Sequence, residues 1–110
     1  MQTITLEQFQ TADIKIGTVL SAEPVDGSTK LLKLSVDLGE ESPRQIIAGL
    51  APSIADPTDL VGKQVPIIAN LQPRMIMGLE SQGMVLAIGT EGPAVLLHPA
   101  SQVESGSKLQ

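Results

Sequence analysis

Side chains able to do covalent chemistry are scarce in this 110-residue chain. His98 is the sole histidine and cysteine is absent, so neither an imidazole-activated nucleophile nor a thiolate metal site can be assembled. His98 stands before Pro99 at the end of an apolar run and reads as a strand-end residue. Asp26-Gly27-Ser28-Thr29-Lys30 lacks the spacing of a phosphate-cradling loop, and Gly62-Lys63 is followed by Gln64 where such a loop needs Ser or Thr. The remaining carboxylates are scattered; Glu40/Glu41 and Asp56/Asp59 read as solvated charges of turns and a helix start. The expectation is a protein with no catalytic residue, no metal site and no cofactor.

Two segments have chemistry better suited to binding. Asn70 to Met84 combines amide, guanidinium and hydroxyl side chains with three methionines and two glycines. Such a loop sets hydrogen-bond donors beside flexible apolar surface, a mixture suited to the bases and sugars of an irregular RNA fold. It reads equally as a long connection whose methionines plug a barrel end. Lys30-Leu31-Leu32-Lys33 is the second segment. If it lies in a strand, its two lysines point apart, and one or both are solvated edge charges.

Elements that could hold these segments follow from periodicity. Thr5-Leu6-Glu7-Gln8 has capping-box spacing, which predicts a short helix from Leu6 to about Gln10 with Leu6 and Phe9 on one side. Alternation then predicts a strand from about Asp13 to Glu23, with a bulge or bend at Gly17. Turn chemistry centred on Asp26-Gly27 separates it from a strand over Leu32–Leu38, and Gln45–Ala48 makes a third. Pro57 to Leu60 suggests a helical turn stopped by Gly62. Gln64–Asn70 reads as a fourth strand, in which Pro66 argues for an edge or a strand start. Met84–Ile88 reads as a fifth, buried on both faces, and Ala94–Leu97 as a short sixth. From Ser101 onward the chain is polar, an irregular tail or part of an interface. Five or six short strands with one helix predict an all-β fold, a small closed barrel, though an SH3-like barrel or a small sandwich fits the pattern nearly as well.

Composition narrows the partners. An apolar content of 42 % allows a real core within one domain, residues 1–110. Twelve acidic residues against seven basic ones give a net charge of −5, so any RNA contact would have to use a local patch of few cations. Phe9 is the only aromatic residue, which removes a base-stacking platform. Met1 to Thr5 lacks the basic start and apolar run of a signal peptide, and no stretch is long enough to cross a membrane. A cytoplasmic location is expected.

Seven blocks in fixed order carry a resemblance. Asp13-Ile14-Lys15-Ile16-Gly17, Lys30-Leu31-Leu32-Lys33-Leu34, Asp37-Leu38-Gly39, Arg44-Gln45-Ile46, Leu60-Val61-Gly62-Lys63, Asn70-Leu71-Gln72-Pro73-Arg74 and Ser81-Gln82-Gly83-Met84 follow one another along nearly the whole chain. Together they resemble the tRNA-binding domain at the C-terminus of bacterial methionyl-tRNA synthetases, which also exists as a free-standing structure-specific tRNA-binding protein. The resemblance implies a five-stranded OB-fold barrel with added elements for a symmetric homodimer. It implies binding to the outer corner of L-shaped tRNA, without catalysis, in aid of an aminoacyl-tRNA synthetase. The binding residues it implies are Lys30, Lys33, Asn70, Arg74, Ser81, Gln82 and Met84. Two departures stand out: Pro24 to Thr29 replaces the family's usual His-Pro and Ala-Asp, and Met75-Ile76-Met77 follows Arg74 where a lysine is common. A related branch of the same fold resembles a dimeric export chaperone for peptides or preproteins, which the acidic charge and methionine-rich loop would suit.

Overall fold

Thr5 caps the first element as its sequence predicts. In the computed structural model, which describes residues 1–89 and 92–110, helix α1 spans Leu6–Gln10. The Thr5 hydroxyl accepts from the Gln8 N–H at 3.0 Å, and the Gln8 amide oxygen accepts from the Thr5 N–H at 2.8 Å. Such a cap contributes about 1 kcal/mol to a helix too short to persist alone. None of α1 is buried, so Leu6 and Phe9 are left uncovered by this chain.

Alternating hydrophobicity builds the barrel. Strands β1 (Ile14–Pro24), β2 (Leu32–Asp37), β3 (Arg44–Ala48) and β4 (Gln64–Ile68) are followed by β5 (Arg74–Ile76), β6 (Leu79–Ser81), β7 (Met84–Val85), β8 (Ala87–Ile88) and β9 (Val95–Leu96). Five of them form one antiparallel sheet in the order β3-β2-β1-β4-β7. In β2 the buried Leu32, Leu34 and Val36 alternate with Lys33, Ser35 and Asp37, the period of a strand with one inner face. These inner side chains meet Val19, Ile46, Val65 and Ile67 in a single core, each large one contributing about 1.5–3 kcal/mol. With β3 and β7 brought together, this strand order is that of an OB-fold barrel.

β1 is long because it serves two partners. Its first half pairs with β4, from Ile14↔Ile68 to Thr18↔Gln64, and its second half with β2, from Thr18↔Asp37 to Pro24↔Leu32. The register slips between Val19 and Ser21, so the bulge lies at Leu20 and not at Gly17, where sequence alone would put it. Gly17 answers a different need. A Cβ there would collide with the Val36 side chain and lie 3.1 Å from Leu38, so the glycine allows close approach at the barrel's bend.

Two further expectations need correcting. Pro66 sits in the interior of β4, between β1 and β7, and not on an edge. Its carbonyl accepts from the Leu86 N–H at 3.0 Å, but it has no N–H to return, and the β4–β7 pairing ends there. The predicted strand over 84–88 is accordingly broken. Met84 and Val85 stay with β4, whereas Ala87 and Ile88 turn away to pair with Val95 and Leu96. Met84 and Ile88 are exposed, so this stretch is not buried on both faces.

The C-terminal segment packs along the barrel. Lys108 bridges Lys15, the Ile16 N–H donates to the Ser107 carbonyl at 2.8 Å, and the Leu109 N–H donates to the Ile14 carbonyl at 2.9 Å. Buried Gln64 holds the segment further back, donating to the Val103 carbonyl at 2.6 Å and accepting from its N–H at 3.0 Å. Residues 106–109 thus extend β1's pairing where β2 no longer reaches. His98 lies beyond the end of β9, in no strand, with its Nδ1 against the Gln64 carbonyl at 2.7 Å. Among the described residues no helix is long and apolar enough to cross a membrane.

Candidate nucleic-acid interface

The segment expected to be a loop after Asn70 folds into a hairpin. β5 and β6 pair Arg74↔Ser81, Met75↔Glu80 and Ile76↔Leu79, leaving Met77-Gly78 as a two-residue turn. Both turn residues have positive φ, 50° and 79°, as a type I′ turn requires. Glycine meets that demand at no steric cost, but methionine does not: Met77 bears about 1–2 kcal/mol of left-handed strain. Its side chain reaches the β1–β2 turn, where a Cβ on Gly27 would lie 3.6 Å from the Met77 methyl. The β1–β2 and β4–β7 connections therefore lie side by side, with Val25, Asp26, Met77 and Leu79 lining one groove, and these connections flank the oligonucleotide-binding face of OB-folds generally.

Four of the residues singled out from sequence lie on the surface of this region. Lys30 precedes β2 and is not within a strand; its N–H donates to the Ser28 hydroxyl at 3.2 Å and its carbonyl accepts from the Ala51 N–H at 3.1 Å, so the backbone is anchored. Lys33 faces outward from β2 and pairs with Glu23 at 3.0 Å. Arg74 begins β5, exposed. Met84 is partly exposed at the start of β7. Among the described residues Lys30, Arg74 and Lys63 make no ion pair, and Lys63 lies before β4, at the far end of that strand from the hairpin.

Three others are occupied with holding the chain. Asn70 accepts from the Asp13 N–H and donates to the Thr11 carbonyl, both at 2.7 Å, fixing the entry into β1. Ser81 is 1 % exposed; its hydroxyl accepts from the Ile47 N–H and donates to the Gly83 carbonyl, both at 3.0 Å. Gln82 donates its N–H to the Gln45 carbonyl at 2.8 Å, and its side-chain oxygen accepts from the Gln45 N–H at 3.0 Å. The edge of β3 is thus satisfied largely by side chains from the segment leading into β7. The barrel closes through this seam.

Arg44 was visible in the sequence only as part of a block, and its role emerges from the fold. Its Nε and Nη2 donate to the two Glu40 carboxylate oxygens at 2.8 and 2.7 Å. Its Nη1 donates to the carbonyls of Ala69 and, at 3.1 Å, Gln82. The hydrogen bond from Arg44 holds the Glu40 carboxyl below its ordinary pKa. An acid four residues before an arginine at a strand start was the available signal. Its second set of partners, distant in sequence, was not legible. The region has no cluster of metal-binding side chains among the described residues.

Comparison with known proteins decides the family. The family model described as "Putative tRNA binding domain" matches residues 14–108. The chain belongs to the tRNA-binding domain family. Within it, the chain is 50 % identical over 107 residues to a methionine–tRNA ligase of Methanothrix thermoacetophila and 49 % identical over 106 residues to that of Archaeoglobus fulgidus. These matches cover 97 % and 96 % of this tRNA-binding domain chain but 16 % of each ligase, so it spans about a sixth of those curated relatives. Among solved structures it resembles the MetRS related protein of Pyrococcus horikoshii, with a TM-score of 0.90, 34 % identity and full coverage of both chains. It also resembles the chaperone CsaA of Bacillus anthracis str. Ames, with a TM-score of 0.87 and 32 % identity, over 99 % of this chain and 100 % of that one.

Proposed function

We propose that this chain binds folded tRNA by its outer corner, without catalysing a reaction, as a homodimer that raises tRNA affinity for an aminoacyl-tRNA synthetase. The observation that carries the reading is the approach of the Met77 hairpin tip to the turn around Gly27, the two lining one groove. It joins two OB-fold binding loops, one bearing Lys30 and the other Arg74, cations that no carboxylate among the described residues neutralises. Lys33 and Met84 extend the surface, the first after exchanging Glu23 for a phosphate. Asn70, Ser81 and Gln82 contribute by fixing backbone. With so few cations and no aromatic platform, recognition rests on the shape of a folded RNA, not on a single strand.

The homodimer part of the reading is supported by uncovered apolar surface. Leu6 and Phe9 of α1 border a groove completed by Ala12 and Leu109, and Ile88 and Val95 form an exposed cross-strand pair. A symmetric partner would cover such faces and place two cation patches on one assembly. Light scattering tests it: twice the chain mass is expected, and a monomer at micromolar concentration overturns it.

A second reading, a chaperone for peptides or preproteins, is favoured by the likeness to CsaA, the acidic net charge and the exposed Met75 and Met77. Competition separates the two. Folded tRNA displacing a labelled tRNA, with an unfolded polypeptide failing to do so, supports the first; the reverse supports the second. The cytoplasm is the compartment in which this tRNA-binding role would operate.

A further inference from the structure

Arg44 meets both feet of the excursion that carries the hairpin. One guanidinium nitrogen donates to the carbonyl of Ala69, where the chain leaves β4, and to that of Gln82, where it arrives at β7. The other two nitrogens are held by both oxygens of Glu40. Four of the five guanidinium N–H groups are thus engaged within the chain, although the residue lies beside the proposed interface. A lysine could not substitute, since an ammonium has no planar fork to engage a carboxylate twice while bridging two carbonyls.

Resting on the tRNA-binding reading above, we propose that Arg44 is a positioning residue: its guanidinium, held by Glu40, pins the two ends of residues 69–82 together and so fixes where the hairpin presents Arg74. Without the fork, the Gln82 seam keeps its bonds to Gln45 and Ile47 but loses the group that ties it to Ala69 at the hairpin's other foot. Arg44 is the first residue of β3, opposite Val36 and on the face that Ile46 turns to the core, so it sits at the rim of the barrel, whereas the β1–β2 pairing from Thr18 to Pro24 uses none of its hydrogen bonds.

The experiment compares wild type with Arg44→Lys, Arg44→Ala and Glu40→Gln in two measurements. The first is amide hydrogen exchange on the free chain. Amides of residues 74–82 are expected to exchange about tenfold faster in the Arg44 variants and about threefold faster in Glu40→Gln, while those paired between β1 and β2 keep their wild-type rates. Uniform acceleration through the barrel, or none at the hairpin, overturns the proposal. The second is tRNA affinity. Arg44→Lys is expected to lose about as much as Arg44→Ala, roughly tenfold, and to lose less than about threefold in an Arg74→Ala background, because the two act through one element. Rescue by lysine would make Arg44 a direct phosphate contact and contradict the assignment. If wild type binds no tRNA, the functional reading fails, while the exchange measurement still decides whether Arg44 positions the hairpin. Glu40→Gln retains the guanidinium, so it answers the same question if the Arg44 variants do not fold.

Discussion

Gln82 pairs with Gln45 as a strand residue would, but half with its side chain: backbone N–H to carbonyl at 2.8 Å, and side-chain oxygen from N–H at 3.0 Å. Ser81 does the same for Ile47 one step along, through its hydroxyl at 3.0 Å. Two residues of a block that the family resemblance makes part of the RNA surface therefore serve as the last rungs of the barrel.

Removing one of those rungs should cost stability first. Ser81→Ala leaves the Ile47 N–H buried and unpaired, which is expected to destabilise the chain by about 1–3 kcal/mol. A urea titration checks this. An unchanged midpoint would show that another group replaces the hydroxyl.

Arg74→Ala should show the opposite profile. The side chain is exposed and makes no ion pair among the described residues, so stability is expected to stay within about 0.5 kcal/mol. The slope of log affinity for tRNA against log salt should become shallower by about one, the loss of one phosphate contact. Thermal melts and a salt series read the two quantities separately.

Much of the fold was legible because each signal was local. The Thr5–Gln8 cap, the alternation in β2 and the Asp56–Pro57 helical start can all be read within a few residues, and the Asp56 side chain does cap Thr58 at 3.0 Å. What failed was set by partners far along the chain. Pro66 looks like an edge residue until Leu86 is seen to need only its carbonyl. Gly17 looks like a bulge until Val36 is found where its Cβ would be. Likewise, the site residues divided by their neighbours and not by their type. Among the described residues Lys30 and Arg74 make no ion pair, whereas Asn70 and Ser81 are consumed by backbone groups 57 and 34 residues away. The hairpin itself was hidden because Met77-Gly78 lacks the usual Asn-Gly turn signal.

That strained turn gives a third prediction. Met77→Asn should stabilise the chain by about 1 kcal/mol, since asparagine accepts the left-handed conformation more readily. A raised melting temperature is expected, with weakened tRNA affinity because the methionine that reaches toward Gly27 is lost.

Acid provides a fourth. Bonding to Arg44 lowers the folded-state pKa of Glu40 below its unfolded value near 4.5. The pair's contribution is therefore present above that value and lost as pH falls through the lower folded one. Glu40 is partly solvated, so the contribution is under about 1 kcal/mol. Glu40→Gln should flatten the stability profile in this acid window and leave its shape at neutral pH alone.

The most direct measurement is equilibrium binding of the chain to folded tRNA across a salt series, with a single-stranded RNA of equal length beside it. Tight binding to the folded RNA alone, with log affinity falling against log salt at a slope of roughly −2 to −3, is the predicted result for a shape-reading patch of two or three cations. Equal binding to both RNAs, or no binding even at low salt, would contradict it.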